Sequence, residues 1–195
     1  MRNRHSRIFL WGGVLEAGLG EIGAAAALAV GIDLGRRIDV SVAGLGAGLA
    51  VGLAAAVPML LLFFGALRSR WAPLVRIRHV LEESILPHFR HLTWWQLLIL
   101  AVLAGIGEEL LFRGFLQPFL AGRFGTAAAV VGASLVFGLL HWITPSYAVF
   151  ASILGVYLGL LVVLSGNLVG AAVCHAVYDY VALSVYLRRS PTPPH

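Results

Sequence analysis

Lysine is absent from this 195-residue chain, cysteine occurs once, and charged residues of either sign make up only 12%. Each shortage excludes something. A single cysteine, Cys174, leaves no internal disulfide and no cysteine-rich zinc site, so it is expected simply to pack. With 59% hydrophobic residues and a mean hydropathy of +0.89, the composition suits a polytopic membrane protein and not a soluble globule. The net charge of +5 is carried by arginine alone. Those arginines stand at the ends of apolar runs, where they act as topology determinants, so the expected partner is the lipid bilayer and no nucleic acid.

The apolar runs predict an all-α polytopic membrane bundle of about six transmembrane helices with one interfacial amphipathic helix and a polar cavity inside the membrane. Span one covers about Ile8 to Ile32; it is too long for a signal peptide and, lacking a convincing cleavage site, is read as retained. It carries Glu16 and Glu21, for which a hydrated interior surface is the favoured surrounding. Span two covers about Val42 to Leu67, with Pro58 as an expected kink. The stretch Trp71 to Leu92 is too polar to span and reads as an interfacial helix broken by Pro87. Its His79, His88 and His91 suggest a solvated face more than a metal site. Spans three to five follow at about Thr93–Pro118, Thr126–Thr144 and Tyr147–Leu164, the fifth read as scaffold without an ionisable side chain, and span six runs from after Ser165-Gly166-Asn167 to Leu187. The chain accordingly divides into an N-terminal part (1–92), a helical core (93–188) and a disordered Pro-rich tail (189–195). Six spans put both termini on one side, and the arginine tally makes that side cytoplasmic.

Span three holds the stretch around which the chain is organised, Gly105-Ile-Gly-Glu108-Glu109-Leu-Leu-Phe-Arg113-Gly114. Ionisable groups at membrane depth are costly, so three of them within six residues make a functional site the default expectation. On a helix Glu109 and Arg113 share a face and can pair, while Glu108 points roughly 100° away and has no cation of its own. That suits Glu108 to general acid or base work. Span four adds His141, one turn beyond Phe137. Span six adds His175 and Asp179, again one turn apart. These groups are expected to converge, although the estimated spans set His141 about 7 Å nearer the cytoplasm than the others. A carboxylate, two imidazoles and a further acceptor in a hydrated pocket can activate water against an amide and hold the oxyanion, with no serine or cysteine nucleophile.

The order Glu-Glu-x-x-x-Arg, Phe-x-x-x-His, His-x-x-x-Asp, each on its own apolar segment between about Trp94 and Leu183, resembles the CPBP family of intramembrane proteases. That family includes the CAAX prenyl endopeptidases and bacterial Abi-type relatives. The resemblance implies an endopeptidase in which Glu108 and His141 activate water, His175 and Asp179 stabilise the oxyanion, and Glu109, Arg113 and Phe137 shape the site. It implies a peptide or protein substrate, lipidated in the prenyl-protease branch, and a place in the bacterial inner membrane. Asp179 stands where the prenyl-protease members have Asn, and a carboxylate donates to an oxyanion only when protonated. Asp179 is therefore neutral, or orients His175 as a donor, or joins Glu108, His141 and His175 around zinc. No cofactor is the favoured expectation, with zinc the alternative. Rival functions are a proton-coupled transporter and a non-catalytic immunity or partner-binding membrane protein.

Overall fold

The computed structural model describes residues 2–189, with side chains from Arg7 onward. The expected disordered tail lies outside the described residues except for Arg189. Inside lipid every backbone N–H and C=O must be satisfied within the protein, and this chain does so with helices; no strand occurs among the described residues. The first helix, α1 (Arg2–Ala29), leads through a short loop into α2 (Val42–Arg68), where the Ser41 Oγ accepts the Gly44 N–H at 3.0 Å. The interfacial stretch consists of α3 (Ala72–Val80), a π turn (Leu81–Ile85) and the single turn α4 (Leu86–Phe89). Next come α5 (Trp94–Glu109), a second π turn (Leu110–Leu116) and α6 (Gln117–Phe124) as one unbroken rod. Helices α7 (Thr126–Leu140), α8 (Pro145–Ser165) and α9 (Leu168–Arg189) complete the bundle.

Both π turns end two residues before a proline, and the reason is steric. Pro118 has no N–H to give to the Gly114 carbonyl, and its ring crowds that carbonyl. The backbone ahead of it widens, so that the Gln117 N–H bonds the Phe112 oxygen. The same happens before Pro87, where the Leu86 N–H reaches Leu81. Span three was expected to end at Pro118 with a turn from Ala121 to Gly125. Instead the rod continues to Phe124 and stops at Gly125, whose φ of +80° favours glycine. A widened turn directly after two acidic residues is a common mark of a functional site.

Among the described residues, five helices are long and apolar enough to cross a membrane: Arg7–Ala29, Val42–Arg68, Trp94–Phe124, Pro145–Ser165 and Leu168–Arg189. The expected fourth span is shorter than anticipated. α7 has 15 residues, about 22 Å of helix against the ~30 Å of a hydrocarbon core, and it ends at His141 instead of Thr144. α9 packs on both α2 and α5, α7 lies along α8, and α1 lies against α5 and the π turn that follows it. The core between α2, α8 and α9 is built from Ala56, Met59, Leu158, Val162, Leu168, Ala171 and Cys174. Cys174 is fully buried there, its Sγ 3.3 Å from the Met59 sulfur, in keeping with a packing role.

Without a hydrophobic force between helices in lipid, close backbone approach drives their association. At Gly105 the approach is tight: a Cβ would lie 2.6 Å from the Ala172 carbonyl oxygen on α9. Gly105→Leu should push α5 off α9 and cost about 1–3 kcal/mol as an overpacking change. The measurement is the thermal unfolding midpoint in detergent. Gly65→Ala, where a Cβ meets nothing within 4 Å, is the comparison and should leave the midpoint unchanged or raise it.

Candidate active site

The polar groups of three helices meet beneath the π turn. Glu108 and Glu109 close α5, His141 caps α7, and His175 and Asp179 lie one turn apart on α9. Adjacent in sequence, the two glutamates have opposite surroundings. Glu109 is fully buried, and its Oε1 accepts from Arg113 at 2.7 Å and from the His175 Nδ1 at 3.0 Å. Arg113, also buried, gives its second terminal nitrogen to the Gly155 carbonyl of α8 at 2.9 Å. Its guanidinium stands 4.8 Å from the Phe137 ring centre, a cation–π contact. Phe137 in turn stacks on the His141 ring at 4.3 Å. The site-shaping set Glu109, Arg113 and Phe137 thus forms one continuous buried chain from α5 to α7.

Glu108 has no such partner. Its Oε2 is shielded from solvent, without a hydrogen bond, 3.7 Å from the His141 Nε2 and 3.9 Å from the His175 Nε2. Those separations exceed a direct hydrogen bond and suit a water bonded to both groups. The His141 ring sits at the end of α7, and its Nδ1 donates to the Phe137 carbonyl at 2.8 Å. That bond fixes the tautomer and leaves Nε2 as the acceptor facing Glu108. The His175 Nε2 also faces the Asp179 Oδ2 at 3.4 Å, so a carboxylate oxygen stands opposite each nitrogen of that ring. Access differs across the set, since the side chains of His141 and Asp179 are 30% and 31% exposed and that of His175 only 7%.

Glu108, His141, His175 and Asp179 carry donor atoms of the kind zinc takes. Nevertheless, no group of three or more His, Cys, Asp or Glu among the described residues is arranged to hold a metal ion. On the interfacial stretch His79 faces Glu83 at 3.3 Å and His88 faces the Ile85 carbonyl at 3.3 Å.

Two residues lie closer to the site than the sequence reading placed them. Glu16 of α1, half-buried, lies within electrostatic range of Glu108, Asp179, His175 and His141, whereas Glu21 of the same helix is exposed. The available signal was Glu16, Gly20 and Gly23 on one helix face, the face that packs on α5. Tyr147, at the start of α8, lies within range of Asp179 and Glu108, although that span had been read as plain scaffold.

Arg113 and Glu109 neutralise each other in a place where a lone charge would be unsupported. Arg113→Met should therefore destabilise the protein by about 3–5 kcal/mol, the cost of leaving one member of a buried pair. The double variant Glu109→Gln, Arg113→Met should lose less. Melting of both variants in detergent checks the order, and a double variant less stable than Arg113→Met would contradict it.

Residues 90–181 match the family model described as Type II CAAX prenyl endopeptidase Rce1-like. No curated protein matches the chain, and neither does any solved structure. The matched stretch contains every group that meets beneath the π turn, from Glu108 to Asp179. Over residues 90–181 the chain is similar to the Rce1-like Type II CAAX prenyl endopeptidases, and its apolar helices make it an integral membrane protein.

Proposed function

We propose that this protein is an intramembrane endopeptidase of the CAAX type that hydrolyses a peptide bond with water activated by Glu108 and His141. The observation that supports this best is the shielded, unpartnered Glu108 Oε2 held 3.7 Å from an imidazole nitrogen whose lone pair is free. A water between them gives a proton to the Glu108–His141 pair as its oxygen attacks the scissile carbonyl carbon. The oxyanion that forms takes a hydrogen bond from the His175 Nε2–H, the role of an oxyanion hole. On collapse the C–N electron pair goes to nitrogen, which takes the proton that the water gave up. An acid and an amine leave.

In this scheme Asp179 remains a carboxylate. With Glu109 opposite Nδ1 and Asp179 opposite Nε2, His175 keeps a hydrogen on both nitrogens, and the donor that an asparagine amide would provide comes from the ring. A nitrogen occupied in this way has no lone pair for a metal, which favours metal-free catalysis over zinc. A bilayer-embedded site with these groups takes a peptide or protein substrate, and the family resemblance makes a prenylated C-terminal peptide the first to try.

The test is cleavage of a fluorogenic farnesylated peptide ending in a CAAX box by purified protein. Glu108→Gln and His141→Ala should each lower kcat by 100-fold or more while the melting temperature stays within a few degrees, because each removes part of the water-activating pair. A folded Glu108→Gln variant with normal turnover would refute the scheme and favour the non-catalytic reading. Chelation with EDTA, followed by metal analysis, should leave turnover unchanged. Stoichiometric zinc whose removal abolishes turnover and whose return restores it would replace the metal-free mechanism with a metal-dependent one.

A further inference from the structure

The reactive groups described so far all come from residues 90–181, but the site has a wall from outside that stretch. α1 approaches α5 one residue before Glu108. A Cβ on Gly107 would collide with the Glu16 carbonyl, one on Gly20 would stand 3.1 Å from the Gly107 Cα, and one on Gly23 would lie 2.6 Å from the Leu111 backbone. Glu16, Gly20 and Gly23 are spaced at i, i+4 and i+7, a single helix face. Backbone contact of this kind leaves α1 little freedom to slide, so Glu16 is held at the level of Glu108. There its Oε2 is shielded from solvent and makes no hydrogen bond, like the Glu108 Oε2.

The resulting cluster is rich in acceptors. Glu16, Glu108 and Asp179 offer carboxylate oxygens and His141 offers a lone pair, while the Glu109 Oε1 is already taken by Arg113 and His175. The His175 Nε2–H is the main donor, and Asp179 already faces it. A peptide bond bound across the site brings the missing donor, its N–H. An orphaned buried acceptor is costly, so a ligand that satisfies it is favoured over one that does not.

We propose that Glu16 is a substrate-positioning residue, its carboxylate receiving the N–H of the scissile peptide bond and then the N–H of the amine that hydrolysis releases. The inference rests on the proposed proteolysis. In the step it assists, the C–N bond breaks, its electron pair stays on nitrogen, and nitrogen gains the proton taken from water. The carboxylate of Glu16 is neither oxidised nor consumed; it holds the nitrogen in line while the proton arrives.

A substrate without that N–H isolates the effect. The farnesylated CAAX peptide is compared with the matching depsipeptide, in which an ester oxygen replaces the scissile nitrogen. Glu16→Leu should lower kcat/KM on the peptide about 10- to 100-fold and on the ester less than threefold. Glu16→Gln, which keeps an oxygen acceptor, should fall between wild type and Glu16→Leu. Glu21→Leu, an exposed change on the same helix, should leave the peptide-to-ester ratio alone. Equal losses on both substrates would mean a structural role for Glu16, and no loss on either would mean no role; each overturns the inference. Glu108→Gln separates this from the parent reading: it should abolish cleavage of both substrates. Wild-type protein inert toward both, or a Glu108→Gln variant that cleaves them, sinks the proteolysis itself and the Glu16 role with it.

Discussion

One carboxylate oxygen, the Glu109 Oε1, holds the architecture together. It accepts from Arg113 on its own helix and from His175 on α9, and Arg113 extends the link to the Gly155 carbonyl on α8 and the Phe137 ring on α7. Four helices are therefore tied at one buried point where water cannot compete. Replacing such a pair by apolar side chains of like volume is often no loss in stability, so stability alone does not explain its presence. Orientation does. The bond from Nδ1 sets the His175 ring so that Nε2 faces Glu108 and Asp179, and the stack of Phe137 on His141 sets the second imidazole from the other side.

Helix lengths matter to the site as much as side-chain types do. α5, the π turn and α6 together make a 31-residue rod, more than a bilayer requires, while α7 makes only 15 residues. The long rod carries the two glutamates into the membrane interior. The short helix ends there, so an imidazole from a helix terminus meets them. A terminal residue is less constrained by the helix than an interior one, and the His141 Nδ1 is free to cap the Phe137 carbonyl while Nε2 turns inward.

Much of this was legible in the residues because the bilayer leaves few alternatives. Apolar runs of about twenty residues must be helices, and acids among them must find partners, so the convergence of Glu108, His141, His175 and Asp179 followed from composition and spacing. The pairing of Glu109 with Arg113 followed from a separation of four. Less visible were features set by backbone geometry. Pro118 reads equally as a stop or as the cause of a π turn, and only the packing of the rod decides between them. The end of α7 at Leu140 has no glycine or proline to announce it. Glu16 looked like one of two equivalent acids, since nothing in the sequence says that Gly20 and Gly23 press that face of α1 onto Gly107 and Leu111.

The division between Glu108 and Glu109 shows how a helix turns neighbouring residues of one type to different uses. A rotation of roughly 100° per residue sends one carboxylate toward an arginine and the other toward the two imidazoles. The paired carboxylate commits its Oε1 to Arg113 and to the His175 N–H. The other has no arginine, and its Oε2 stands toward the two imidazoles instead. A single glutamate could not serve both ends, since satisfying the charge and leaving an acceptor for water make opposite demands on the same atoms. Two adjacent glutamates meet both demands only if the helix is held in one rotational setting. α9 at Gly105 and α1 at Gly107 supply that hold, each by backbone contact too close for any side chain to intervene.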